Sequence, residues 1–128
     1  MSCLKRLVVG ICLIFLFANT AIAKNYNHKT LIFFYTSQCA YCHDMADILL
    51  KLTKKHKVRM IAVSDDGKKI AQLPNSISDM QLTRKFKIVS FPTLIAVDMT
   101  KKEFELMCNG LESEKIVEAK ILAWVNHA

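Results

Sequence analysis

Cys39 and Cys42 are the residues of this 128-residue chain whose type and spacing best suit chemistry. Two thiols separated only by Ala40 and Tyr41 can close a small Cys39–Cys42 disulfide without unwinding a helix that starts beside them. Such a pair carries out thiol–disulfide exchange. One thiolate attacks a disulfide sulfur, a mixed disulfide forms, and the second thiol resolves it. Position assigns the roles. Free N–H groups and the positive dipole end at a helix start favour a thiolate, which makes Cys39 the nucleophile. Cys42, one turn further in and expected to be more buried, is the resolving thiol.

That chemistry needs a strand to deliver the first cysteine and a helix to receive it. Leu31-Ile32-Phe33-Phe34-Tyr35 reads as a strand buried on both faces, and Thr36-Ser37-Gln38 turns the chain into a helix near Cys39. Met45, Ile48, Leu49 and Leu52 give that helix an apolar stripe. Val58 to Val63 reads as a second strand, which predicts a right-handed βαβ crossover. Ser64 to Asn75 is loop-like, with turn signals at Asp65-Asp66-Gly67 and Leu73-Pro74-Asn75. Ser78-Asp79-Met80-Gln81 has capping-box spacing before a short helix bearing Leu82 and Phe86. Leu94 to Val97 and the alternating Glu103 to Cys108 predict an antiparallel hairpin. Gly110 breaks it, and Ser113 caps a last helix whose stripe is Val117, Ile121, Trp124 and Val125. The expected fold class is α/β, a central mixed β-sheet built as βαβ then ββα and flanked by helices.

The remaining sequence bears on compartment and partners. Residues 1–23 read as a signal peptide: Lys5 and Arg6, an uncharged run from Leu7 to Phe17, then Ala21-Ile22-Ala23 at the cleavage position. The run is shorter than the ~20 residues that span a bilayer, so membrane contact is expected only if this segment stays uncleaved as an anchor. Cleavage after Ala23 leaves one domain, residues 24–128, in an oxidising exported compartment where disulfide chemistry is sustained. It also removes two positive charges from the formal +7, leaving +5. The densest basic stretch, Lys54-Lys55-His56-Lys57, fits a solvated helix end and not a nucleic-acid surface. Cys3 and Cys12 belong to the signal segment, so Cys39, Cys42 and Cys108 remain, too few for a multi-bridge scaffold.

Phe33 to His43, together with Ser90-Phe91-Pro92-Thr93-Leu94, resembles the thioredoxin superfamily. The resemblance implies that the Phe91–Pro92 bond is cis and that Pro92 faces the cysteines. It also implies that the backbone of Phe91 pairs with a bound substrate strand, with Tyr41 and Thr93 in the same substrate-binding surface. Within the superfamily the chain is similar to the short periplasmic thioredoxin-like proteins of conjugative transfer and type IV secretion, the TraF/TrbB type. The features that carry this are the aromatic strand before the cysteines, Tyr41-Cys42-His43, and Ser64-Asp65-Asp66-Gly67 followed by Leu73-Pro74. It implies a periplasmic protein disulfide oxidoreductase or isomerase that needs no cofactor or metal. Its partners would be proteins bearing thiols or disulfides, a redox partner that recycles the dithiol, and secretion or conjugation apparatus proteins. The pattern departs from cytoplasmic thioredoxin in three ways: no Trp before Cys39, Ala40-Tyr41 in place of Gly-Pro, and Phe33 in place of a buried carboxylate. The direction of exchange stays open.

Other readings compete at the same residues. Cys39 to His43 also satisfies the C-x-x-C-H haem attachment pattern, although the preceding apolar strand and Phe91-Pro92-Thr93 do not belong to it. Zinc at Cys39, Cys42, Cys108 and a histidine has suitable ligand types but lacks a second close pair. Cys108 reads as a small buried apolar residue and less readily as a third redox thiol. His43 either modulates Cys39 by stabilising its thiolate or lies on the helix surface. The alternative for the whole protein is a thioredoxin-fold interaction subunit of the same apparatus, without essential redox turnover.

Overall fold

A computed structural model describes residues 28–127, so the signal segment and its cleavage position lie outside the described residues. The chain runs β1 (Lys29–Tyr35), α1 (Ala40–His56), β2 (Arg59–Ser64), β3 (Ile77–Ser78), α2 (Met80–Lys85), β4 (Thr93–Asp98), β5 (Glu103–Asn109) and α3 (Glu114–Asn126). The strands form one sheet in the order β3-β2-β1-β4-β5. β2 lies parallel to β1, with Phe33 opposite Ala62, while β4 lies antiparallel to β1, with Phe33 opposite Leu94. β5 returns antiparallel beside β4. This is the expected mixed sheet, βαβ followed by ββα, with a short added strand at one edge.

The central strand is apolar throughout because both of its faces are covered. Leu31, Phe33 and Tyr35 pack with α1 and α3, whose Met45, Leu49, Leu52, Val117 and Ile121 are fully buried. Ile32 and Phe34 point the other way, with Ile95, toward Leu82 and Phe86 near α2. The β4–β5 register shifts between Leu94 and Ile95, so that Leu94 faces Cys108 while Ile95 faces Leu106. The extra residue brings Met107 and Cys108 both into the core beneath α3, as a bulge does by setting two residues against one. No helix among the described residues is long and apolar enough to cross a membrane.

Three local expectations change. β1 begins before the expected Leu31, with the buried Lys29 as its first residue. β3 was not foreseen, since Ile77 and Ser78 are too few to show a period and are held only by parallel pairing with Val63 and Ser64. With Ser78 in that ladder, Asp79 caps α2 instead. Its Oδ1 accepts the N–H groups of Gln81 at 2.9 Å and Leu82 at 3.2 Å.

Candidate active site

β1 ends at Tyr35, and Thr36 to Gln38 carry the chain across to α1. Cys39 is the N-cap of that helix, with extended backbone (φ −88°, ψ 109°), and its Sγ accepts the Cys42 N–H at 3.2 Å. This helix-start donor, shared with the Cys39 carbonyl at 3.1 Å, points at the first sulfur, which is the arrangement that stabilises negative charge there. Both cysteines are thiols. Cys39 is half-buried and Cys42 is fully buried, as their assigned roles require.

The second wall comes from the far side of the sheet. The Phe91–Pro92 peptide bond is cis. The Phe91 carbonyl lies 3.8 Å from Cys39 Sγ and accepts its hydrogen. Contacts from the end of β5, together with a bond inside the loop, hold this segment, and Ser90 Oγ donates to Asn109 Oδ1. The Gly110 N–H donates to the Pro92 carbonyl at 2.8 Å, and Thr93 Oγ1 donates to the Ser90 carbonyl at 2.7 Å while approaching Asn109 Oδ1 at 3.5 Å. Gly110 has φ +104°, a backbone conformation that side-chain-bearing residues rarely adopt. Thus Cys39, Cys42, Phe91, Pro92 and Thr93 come together from β1–α1 and from β4. Tyr41 projects outward beside them, 63% exposed, and Val89, two residues before Phe91, is 90% exposed.

The turn before Cys39 is fastened from two sides. His43 Nε2 donates to the Ser37 carbonyl at 3.1 Å, so the hydrogen bond of this half-buried ring goes to the turn and not to a sulfur. From the end of β2, Asp66 Oδ2 accepts both the Ser37 N–H, at 2.9 Å, and the Ser37 hydroxyl. Neither Ser37 nor Asp66 was singled out by sequence reasoning, nor was Asn109. The nearest signals were the turn reading of Asp65-Asp66-Gly67, a bend in the structure, and the resemblance at Ser64-Asp65-Asp66-Gly67, but neither says which loop Asp66 will hold.

Burial sets the electrostatics of the two enclosed thiols. It is the main reason that the Cys42 thiol is pushed up to about 12, with the hydrogen bond to Cys39 and the charges of Cys39 and Asp66 adding to it. The Cys108 thiol is raised to about 11, again mainly by burial. That suits an inert packing residue, opposite Leu94 and under α3. The haem reading does not fit this site. Attachment requires both sulfurs and the following imidazole to be open to the macrocycle, yet Cys42 is enclosed and His43 is bonded to Ser37. Among the described residues, no group of three or more His, Cys, Asp or Glu side chains could hold a metal ion.

The sequence matches, over residues 18–122, the family model described as TraF, F plasmid transfer operon protein. No curated protein matches it. Solved structures do. A putative thiol:disulfide interchange protein DsbE from Chlorobium tepidum superposes with a TM-score of 0.63 at 19% identity, covering 77% of this chain and 80% of that one. MTB dsbF, in mixed oxidized and reduced forms, gives 0.61 at 14% identity over 75% and 80%. StoA from Bacillus subtilis gives 0.57 at 18% identity over 77% and 85%. At these identities the likeness shows the fold, which is the thioredoxin fold.

Proposed function

The chain belongs to the TraF family of F plasmid transfer operon proteins, and from that premise we propose that it is an exported, periplasmic thiol–disulfide oxidoreductase acting on proteins of a conjugation or type IV secretion apparatus. The observation that carries the reading is the seat of Cys39. Its sulfur is reachable, lies between a helix-start N–H and the Phe91 carbonyl, and has a second thiol one turn behind it. An extended substrate segment pairing with the Phe91 backbone, between Tyr41 and Val89, would bring its own sulfur to Cys39.

In the reducing direction the Cys39 thiolate attacks one sulfur of a substrate disulfide. A new S–S bond forms and the other substrate sulfur leaves as a thiolate. Deprotonated Cys42 then attacks the Cys39 sulfur, which releases the reduced substrate and closes Cys39–Cys42. The reverse sequence oxidises a substrate dithiol, and a redox partner resets the pair after either. His43 contributes by holding the turn through Ser37, and Thr93 by fixing the loop that carries Pro92.

The protein should reduce insulin disulfides, and Cys39→Ala should lower that rate to background, at least a hundredfold. Undiminished turnover in the variant would overturn the mechanism. Cys42→Ala, expressed in cells carrying the transfer apparatus, should accumulate mixed disulfides that dithiothreitol releases. Capture of apparatus proteins would establish the specialised role. A trap that holds none of them would leave a general oxidoreductase.

A further inference from the structure

Phe91 carries the backbone that meets the reactive sulfur, yet it lies outside the sheet, since the β4 ladder starts only at Thr93. Its position therefore depends on its neighbours. On one side, the Pro92 carbonyl accepts the Gly110 N–H at 2.8 Å. On the other, the Ser90 hydroxyl donates to Asn109 Oδ1, and the Ser90 carbonyl accepts the Thr93 hydroxyl at 2.7 Å. Asn109 Oδ1 also lies 3.5 Å from Thr93 Oγ1. Consecutive residues at the end of β5 thus hold the chain on both sides of Phe91. Ser90 and Asn109 are exposed, so water can serve either partner and their bond adds little to the stability of the fold. Asparagine is also a poor strand residue, and here it occupies the ladder position opposite Thr93. A locally unfavourable residue that makes one directed bond beside a reactive sulfur fits a functional role better than a framework one.

We infer that Asn109 is a positioning residue for substrate capture: through Ser90 it fixes the strand-pairing backbone of Phe91 beside Cys39. This rests on the exchange chemistry proposed above and deepens it. An extended substrate must pair with Phe91 and present its sulfur to Cys39 at the same time. A Phe91 released on its Ser90 side would have to be ordered by the substrate, at the expense of affinity. Attack at sulfur needs no such help. Cys39 is seated by the start of α1 and by the Cys42 N–H, and its contact with the Phe91 carbonyl at 3.8 Å is a weak S–H···O bond. Breaking the Ser90–Asn109 bond therefore weakens the binding of extended peptides and leaves attack on small disulfides nearly unchanged.

The test compares two disulfides that release the same pyridinethione. One is 4,4′-dithiodipyridine, which has no backbone to pair. The other is a short threonine–serine peptide whose single cysteine is activated as its pyridyl disulfide. In each, the Cys39 thiolate attacks a disulfide sulfur, an S–S bond to Cys39 forms, and pyridinethione leaves. With the reduced full chain, Asn109→Ala should raise the half-saturating peptide concentration about fivefold, the equivalent of one hydrogen bond, at an unchanged limiting rate. Its rate with 4,4′-dithiodipyridine should stay within about twofold of wild type. Ser90→Ala removes the same bond from the other side and should match it, and the double variant should be no worse than either single one. Asn109→Asp keeps the acceptor oxygen and should restore peptide capture. Wild-type peptide binding in Asn109→Ala overturns the inference, as does an equal loss with both disulfides. Additive losses in the double variant, or no rescue by Asn109→Asp, overturn it too. If Asn109→Ala does not fold, Ser90→Ala decides by the same comparison. No release from 4,4′-dithiodipyridine by wild type would instead overturn the exchange chemistry on which the inference rests.

Discussion

Cys42 and Cys108 place two thiols in apolar surroundings, and each holds its proton more tightly in the folded protein than in the unfolded chain. Their folded values lie near 12 and 11 against an ordinary 9.0, so above about pH 9 the unfolded chain releases protons that the folded one keeps. The resulting stability is complete below that value and is lost as pH rises toward the folded values. The reduced protein should therefore lose thermal stability between about pH 9 and 11, and Cys108→Ala should flatten that slope even though its lost volume lowers the whole curve. Equal slopes in wild type and variant would contradict the burial argument. The pairing of Cys39 and Cys42 at a helix start was legible because their spacing and position are local. Phe91, Pro92 and Thr93 were legible only through resemblance, since Phe91 lies 49 positions after Cys42. His43 was weighed as a partner of the sulfur, but its ring reaches the Ser37 carbonyl, a backbone atom with no sequence signature. Asp66 was legible only as part of a turn and of a family motif, for the same reason, since its partner Ser37 lies 29 positions earlier.

Helix α3 shows how an element can depend on a residue far away. Its last turn carries no basic side chain. The cation that suits its C-terminal carbonyls comes instead from β1. Lys29 Nζ donates to the carbonyl of Trp124 at 2.8 Å, to that of Val125 at 3.3 Å and to that of His127. The same ammonium lies 5.5 Å from the centroid of the Trp124 ring. Lys29→Met keeps most of the apolar stem and removes the charge, so it should destabilise the protein by about 2 kcal/mol and speed amide exchange in the last turn of α3. Because Lys29 stands at the end of β1 remote from Cys39, roughly 20 Å along the strand, insulin reduction should be unchanged under conditions where the variant is folded. Stability equal to wild type would show that water serves those carbonyls as well. The helices themselves were legible from apolar stripes, and the α3 cap at Ser113 from residue type. The cap of α2 and the existence of β3 were not, because pairing of Ser78 with Ser64 is a tertiary event that overrides local capping spacing.

Across the whole molecule, positive charge is in excess and several acids are committed. The chain has 18 Lys and Arg against 11 Asp and Glu. Against desolvation, hydrogen bonds from Ser37, Lys68 and Ser64 hold the Asp66 carboxyl well below the usual carboxylate range. Asp98 is held below its ordinary 3.8 mainly by the Lys101 N–H, against desolvation and with help from the Thr100 N–H. Glu118 is held below its ordinary 4.5 by hydrogen bonds from Lys55 and His56. These three fasten separate parts: the turn before the active site, the β4–β5 hairpin, and α3 to the end of α1. Each has a folded value below its unfolded one, so in acid the unfolded chain binds more protons. Their stabilisation is present above about pH 4.5 and is lost as pH falls through the folded values. Protonation also raises a net charge that is already positive, and self-repulsion then works in the same direction. The melting temperature should therefore fall steeply below about pH 4, and the fall should be shallower in Asp98→Asn, whose contribution is already absent at neutral pH. Added salt should weaken the repulsive part but leave the Asp98 difference, because hydrogen bonds to backbone N–H groups are less screened than charges at a distance. An acid limb of the same steepness in wild type and Asp98→Asn would mean that general charge repulsion, and not the protonation of anchored carboxylates, governs how this fold comes apart.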